Sequence, residues 1–251
     1  MDLNLKNKNV LVTGSSRGIG LDIAKKFYKE GSRVALNSRK KLTKKILDEI
    51  PGAISIQGDV SNESSAKKII NECIQSFGSL DILVCNVGSG QSVRPGEENK
   101  DIWEQVFLQN FFSTTCMVEA AKPFLKHTKG VVICISSICG SESIKGAPVT
   151  YSVAKAALNA YVKGISWPLA TDGVRICAIS PGNIYFKGSV WSKKKRENPN
   201  EVKNMLEKEV PLNQFGSKED ISNLALFLAS PLSNNTTGSI WISDGGQTKS
   251  F

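Results

Sequence analysis

The sequence predicts an α/β fold: a seven-stranded, mostly parallel sheet with helices on both faces. Three observations carry this. Short, β-branched, nearly continuous apolar runs recur along the chain, segments with apolar residues at helical spacing separate them, and several of those segments end at glycine. Strands apolar on both sides are buried on both sides, and parallel neighbours need a crossover long enough to hold a helix.

The first run, "NVLVT" (9–13), leads into a glycine-rich turn and the helical segment "GLDIAKKFYKEG" (20–31). "RVALN" (33–37) and "AISIQ" (53–57) supply the next strands, and "SSAKKIINECIQSFG" (64–78) the next clear helix. "DILVC" (81–85), "GVVICIS" (130–136), "VRICAIS" (174–180) and "SIWIS" (239–243) complete the seven. Between the fifth and sixth lies "PVTYSVAKAALNAYVKG" (148–164); Pro168 should kink or end that helix, because proline lacks the N–H and collides with the preceding turn. Residues 183–216 interrupt the rhythm and are expected to form a lid over a site. No linker, repeat or low-complexity tract divides residues 1–251, so one domain is expected.

The composition, 40% hydrophobic and 22% charged, is that of an ordinary globular protein. No apolar run is long enough to span a membrane and "MDLNLKNKNV" lacks the apolar middle of a signal peptide, so a cytoplasmic protein without membrane attachment is expected. The six cysteines show no C-x-x-C pair and sit mostly in apolar runs, which points to buried thiols. The single histidine, His127, falls at a helix end, so no metal site is expected. The net charge of +9 is concentrated at Lys40, Lys41, Lys44 and Lys45 and at Lys193, Lys194, Lys195 and Arg196. Such a field favours anionic ligands, but no nucleic-acid module accompanies it and no nucleic-acid partner is expected.

Directly after the first strand comes "TGSSRGIG", with Gly14, Gly18 and Gly20 leading into a helix. A strand, a glycine turn and a helix N-terminus bring backbone N–H groups and the positive end of the helix dipole to a diphosphate. Tyr151 and Lys155 lie one helical turn apart and project from one face. Either feature taken singly also has a purely structural reading.

With "TGSSRGIG", "GDV" (58–60), "CNVG" (85–88), Asn110 in "WEQVFLQNFF", "ISSICG" (135–140), "YSVAK" (151–155), "ISPGNI" (179–184) and "DGG" (244–246) in this order, the chain resembles the short-chain dehydrogenase/reductase family over essentially its whole length. The resemblance implies a doubly wound Rossmann fold that binds a nicotinamide dinucleotide. Gly14, Ser16, Arg17, Gly18, Ile19 and Gly20 would form the phosphate turn, Asp59 and Val60 would lie at the adenine, and Asn86 and Gly88 along the cofactor. Pro181, Gly182 and Ile184 would lie near the nicotinamide. The second strand ends Asn37, Ser38, Arg39 without the acid that would repel a 2′-phosphate, and Arg17 adds a cation, so NADP (NADPH) is the expected cofactor.

The resemblance makes Tyr151 the acid that protonates a carbonyl oxygen. Lys155, together with the positive charge of the oxidised nicotinamide, would depress the phenol pKa; Lys155 would also hold the nicotinamide ribose, Ser137 would stabilise the substrate oxygen, and Asn110 would position a water in the proton path. Three departures stand out: Cys85 replaces the usual first Asn of N-N-A-G, Phe186 replaces a cofactor-contacting threonine, and Pro168 falls in a helix that often forms subunit interfaces. The expected activity is NADPH-dependent reduction of a ketone to a secondary alcohol. The aromatic and cationic lid fits both a 3-oxoacyl thioester on an acidic carrier, which is favoured on family frequency alone, and a keto-sugar or nucleotide-linked keto-sugar as the alternative; a catalytically silent NADP-binding sensor is a third reading. A homotetramer or homodimer is expected from the resemblance.

Overall fold

The computed structural model describes residues 2–249; Met1, Ser250 and Phe251, the ends of the expected domain, lie outside the described residues. Seven strands form one sheet: β1 (Asn9–Val12), β2 (Arg33–Ser38), β3 (Ile54–Gln57), β4 (Ile82–Cys85), β5 (Val131–Ile135), β6 (Arg175–Pro181) and β7 (Ser239–Ser243). Their order is β3-β2-β1-β4-β5-β6-β7, and every pairing is parallel. Each strand falls within about a residue of its expected place. The order reverses direction between β1 and β4, and ligands bind at the carboxyl ends of strands beside such a switch.

The strands alternate between two cores. Val10 and Val12 face α1 (Gly18–Lys29) and α9 (Lys218–Ala229), where they pack with Ile23, Phe27, Ile221 and Leu228. Leu11, Leu83 and Cys85 face the opposite layer of α3 (Glu63–Phe77), α5 (Ser113–Thr128) and α6 (Val149–Thr171), with Ile70, Met117 and Leu158. Cys85 and Cys134 are register partners on β4 and β5, and their thiols meet in a hydrogen bond inside this core. The change from Asn to Cys at position 85 is thus accommodated as packing.

Local chemistry sets the helix ends. The Asn62 side chain accepts from Ser65 N–H at the start of α3, and Gly78, at φ 84°, ends it in the left-handed conformation that glycine adopts without strain. Ser217 and Asp220 form a capping box on α9. Two crossovers are more elaborate than their sequence suggests. The short α2 (Lys44–Asp48) precedes β3, and α4 (Lys100–Phe107) runs through a π turn at Leu108–Phe112 into α5. Helix α6 does not end at Pro168 but continues to Thr171. Pro168 lies in the final turn, so the missing N–H removes only the one ladder bond to Gly164 O.

The 183–216 interruption contains α7 (Val190–Glu197) and α8 (Pro199–Glu209) and is tied at its base. Ile184 bridges Gly216, with Tyr185 N–H donating to Gly216 O at 2.9 Å and Gly216 N–H to Asn183 O at 3.0 Å.

Candidate active site

The glycine turn, residues 86–88, the Ser137 turn and Pro181–Gly182 all follow the carboxyl ends of β1, β4, β5 and β6, so the topology alone brings them to one edge. Gly14 and Gly18 sit at φ 62° and 63°, the left-handed region. A Cβ on Gly20 would lie 2.7 Å from Gly14 O and 2.4 Å from Asn86 Nδ2, so the backbone there approaches as closely as a glycine permits. Asn86 fixes the turn by donating to Thr13 O at 3.0 Å and Gly14 O at 3.2 Å, while Thr13 Oγ1 accepts from Asn86 N–H at 3.0 Å. Thr13 had no role in the sequence reading; its place between β1 and the turn was the signal.

Helix α1 starts at this turn with no side-chain cap on its N-cap residue Arg17 and no acid in its first turn. Its N–H groups and dipole are therefore offered to an anion. Arg17 and Arg39 are both exposed on this side. The end of β2 carries no carboxylate: Asn37 donates to Ile56 O and Gly58 O, and Ser38 Oγ to Lys40 O. Asp59 is exposed, and its carboxyl lies below the usual value, chiefly through the backbone N–H of Ser61 and to a lesser degree through Arg39. Val60 is buried beside it. Ser16 and Ile19 are half-buried in the glycine turn, and Ile184 is buried at the lid base.

Tyr151 and Lys155 stand one turn apart in the first part of α6, with the Lys155 ammonium 5.9 Å from the phenol ring centroid. Lys155 is 2% exposed, and one of its three donors goes to Ile135 O at 2.9 Å. Its Nζ and Asn110 Oδ1 both face Gly88, where a Cβ would stand 3.1 and 3.0 Å from them. Ser137 accepts from Cys139 N–H at 3.2 Å and hydrogen-bonds the Tyr151 hydroxyl. The four candidate catalytic residues thus share one edge with the glycine turn.

Two details differ from expectation. Burial pushes the Tyr151 phenol up to about 12, against a smaller lowering by Ser137, and brings Lys155 down to about 8. Without a dinucleotide beside them, loss of water is the largest influence on both groups. The Asn110 side chain is committed to backbone, accepting from Ser89 N–H at 2.9 Å and donating to Val106 O at 3.1 Å. It braces the strand end against the π turn.

The 183–216 segment, the expected lid, docks on the glycine turn. The Phe186 ring lies against Gly18, 2.9 Å from where a Cβ would stand, and Arg17 Nη1 donates to Gly188 O at 3.4 Å. Tyr185 and Trp191 each pack on Phe215, with ring centroids 5.4 and 5.5 Å away. Lys194 covers Trp191 and Lys195 covers Tyr185, at 4.7 and 5.3 Å from the ring centroids, and Lys193 pairs with Glu197 at 3.9 Å. Three of the four clustered lid cations are therefore engaged within the lid itself. Among the described residues no cluster could hold a metal ion, and no helix is long and apolar enough to cross a membrane.

A family model described as enoyl-(acyl carrier protein) reductase matches residues 14–248. The chain belongs to the short-chain dehydrogenase/reductase family. Glucose 1-dehydrogenase 2 of Bacillus subtilis is 31% identical over 98% of this chain and 96% of its own length. A 3-oxoacyl-(acyl-carrier-protein) reductase of Staphylococcus aureus is 31% identical over 95% of this chain and 97% of its own. Among solved structures, L-sorbose reductase of Gluconobacter frateurii, complexed with NADPH and L-sorbose, aligns at a TM-score of 0.90 with 26% identity over the whole of both chains. A 7α-hydroxysteroid dehydrogenase complexed with NADH aligns at 0.89 with 26% identity, covering 99% of this chain and 97% of that one. The protein is accordingly an oxidoreductase of CH–OH and C=O groups with a nucleotide-binding Rossmann fold.

Proposed function

We propose that the protein is an NADPH-dependent reductase of a small-molecule ketone, with Tyr151 as proton donor. The observation that carries this reading is the meeting of Tyr151, Ser137, Lys155 and Asn110 beside an uncapped, glycine-built helix N-terminus. When bound, the dinucleotide supplies the hydride. The chain's own groups manage the oxygen. A phenol near 12 keeps its proton at neutral pH and gives it to the carbonyl oxygen as charge develops there. Ser137 donates a second hydrogen bond to the same oxygen. Lys155, anchored at Ile135 O, keeps two donors with which it would hold the ribose. The Asn110 side chain is bonded to Ser89 N–H and Val106 O, so its part in a proton relay would fall to the backbone of the π turn.

NADPH is favoured over NADH by Arg17, Arg39 and Ser16 and by the absence of a carboxylate at the end of β2, where a 2′-phosphate would sit. Pro181, Gly182 and Ile184 would line the nicotinamide end. The substrate reading shifts from the sequence expectation. The 3-oxoacyl thioester rests on family frequency alone, and the lid cations add little to it: Lys194 and Lys195 lie over the lid's own rings and Lys193 on Glu197. A keto-sugar is the better-supported substrate, in keeping with the sugars named for two of the relatives. Homo-oligomeric assembly belongs to the same proposal; Trp167, 79% exposed on α6, is on a face it would cover. Tyr151→Phe should lower NADPH oxidation with any accepted ketone by about 10²–10⁴-fold while NADPH still binds with similar affinity by fluorescence titration. Near-normal turnover in this variant would exclude the mechanism.

A further inference from the structure

A cleft of about 300 Å³ opens between the loop after the Ser137 turn, the end of α8 and the C-terminal stretch 246–249. Both of its walls are linked to the reaction site through hydrogen bonds. Glu142 N–H donates to Ile138 O at 3.0 Å, next to Ser137, and the Glu142 carboxylate accepts from Lys249 N–H at 2.7 Å. On the other side Gln247 Oε1 accepts from Asn183 Nδ2 at 2.9 Å, and Asn183 follows directly on Pro181–Gly182. The same amide reaches Met205 Sδ at 3.5 Å, which ties in α8. The cleft is therefore walled by segments that are hydrogen-bonded to the turn that presents Ser137 and to Asn183, next to Pro181–Gly182.

Its walls present polar and apolar surface in nearly equal amounts, and the polar groups are of mixed sign. Eight of the twelve lining residues carry polar or charged side chains, among them three carboxylates (Glu142, Glu207, Glu209) and three ammonium groups (Lys145, Lys208, Lys249). The two signs balance, so the cleft has no net field for a phosphate or an acidic carrier. An acyl chain laid here would strip water from these groups and return no hydrogen bonds. A hydroxyl both donates and accepts, so neighbouring hydroxyls can satisfy mixed carboxylate, ammonium and amide partners. The volume lies at the small end of the range for ligand sites.

We propose that this cleft is the outer half of the substrate site and takes the hydroxyl-bearing end of a neutral polyhydroxylated carbonyl compound, of ketose type, with Gln247 and Lys145 as specificity-determining residues. The proposal rests on the reading of Tyr151 as proton donor to a ketone. It locates the rest of that substrate and assigns it a chemistry.

The test compares L-sorbose and D-fructose with 2-hexanone and an acetoacetyl thioester, using the full chain and NADPH. The expected result is kcat/KM at least tenfold higher for a ketohexose than for hexanone or the thioester. Lys145→Met and Gln247→Leu should each lower the ketohexose-to-hexanone ratio at least tenfold, mainly through KM. Calorimetry on NADPH-loaded Tyr151→Phe should detect L-sorbose binding, and the signal should weaken when Gln247→Leu is added. Hexanone or the thioester used as well as the ketohexoses, or a ratio unmoved in both variants, overturns the cleft proposal while the carbonyl-reducing reading stands. If no carbonyl in the panel is reduced although NADPH binds, both readings fall.

Discussion

Lys155 shows how far a single side chain's chemistry depends on burial. Its ordinary pKa of 10.5 falls to about 8, first through desolvation, with the nearby Cys134 and Cys139 opposing the shift. Below pH 8 both folded and unfolded chains carry the ammonium, and the folded state bears the full cost of holding it away from water. Between about 8 and 10.5 the unfolded chain binds a proton that the folded chain has released, so this group's contribution to stability rises with pH. Lys155→Met should therefore abolish reduction yet unfold at a higher temperature at pH 7, by about 2–6 °C for about 1–2 kcal/mol. The difference should shrink as the pH of the melts is raised from 8 to 10. A gap that stays constant across that range would mean that Lys155 does not titrate there. The one-turn spacing of Tyr151 and Lys155 was legible in the sequence because a helix has a fixed period. The directions of their pKa shifts were not, because they depend on water excluded by β5, Gly88 and the Ser137 turn, which meet only in the fold.

At the scale of elements, the strands were legible because their apolar runs are buried on both faces, and "TGSSRGIG" was legible because two of its glycines hold conformations few other residues tolerate. The π turn at Leu108–Phe112, the passage of α6 through Pro168 and the docking of the lid were not. The first and last depend on a tertiary neighbour, Asn110 on Ser89 and Phe186 on Gly18, while Pro168 is tolerated because it lies in the final turn. The last pair separates two reasons for a glycine. At Gly18 a methyl group would meet both an unfavourable φ of 63° and the end of the Phe186 ring, which is a movable side chain. Gly18→Ala should cost about 1–2 kcal/mol in urea unfolding. The double variant Gly18→Ala/Phe186→Ala should show no favourable coupling between the two changes, because the backbone cost remains after the ring is gone. A double-mutant cycle with more than about 1 kcal/mol of favourable coupling would make the clash with the ring the dominant cause.

At the scale of the whole molecule, the reading of the cofactor becomes a statement about stability. A dinucleotide bound at this edge would touch the turn after β1, the end of β2, the residues after β4 and the lid base after β6, segments spread over the sequence from 14 to 184. It binds only where these are assembled, so it stabilises the folded state alone. At one hundred times its Kd this amounts to about 2.7 kcal/mol, or about 5–10 °C in a chain of this size. The 2′-phosphate separates the two possible cofactors. It carries extra negative charge to a side where Arg17 and Arg39 are exposed and where the end of β2 offers no carboxylate to repel it. NADPH should therefore raise the melting temperature more than NADH at equal concentration, by the equivalent of at least a tenfold difference in Kd, about 1.4 kcal/mol. Arg17→Ala combined with Arg39→Ala should remove most of that difference and leave the NADH shift nearly as it was, because the diphosphate is held by the backbone of the glycine turn. Added salt should narrow the wild-type gap as well, since both arginines are exposed and screened. Equal shifts with the two cofactors in the unmodified protein would refute the NADP assignment, and a gap that survives both substitutions would place the phosphate-recognising groups elsewhere.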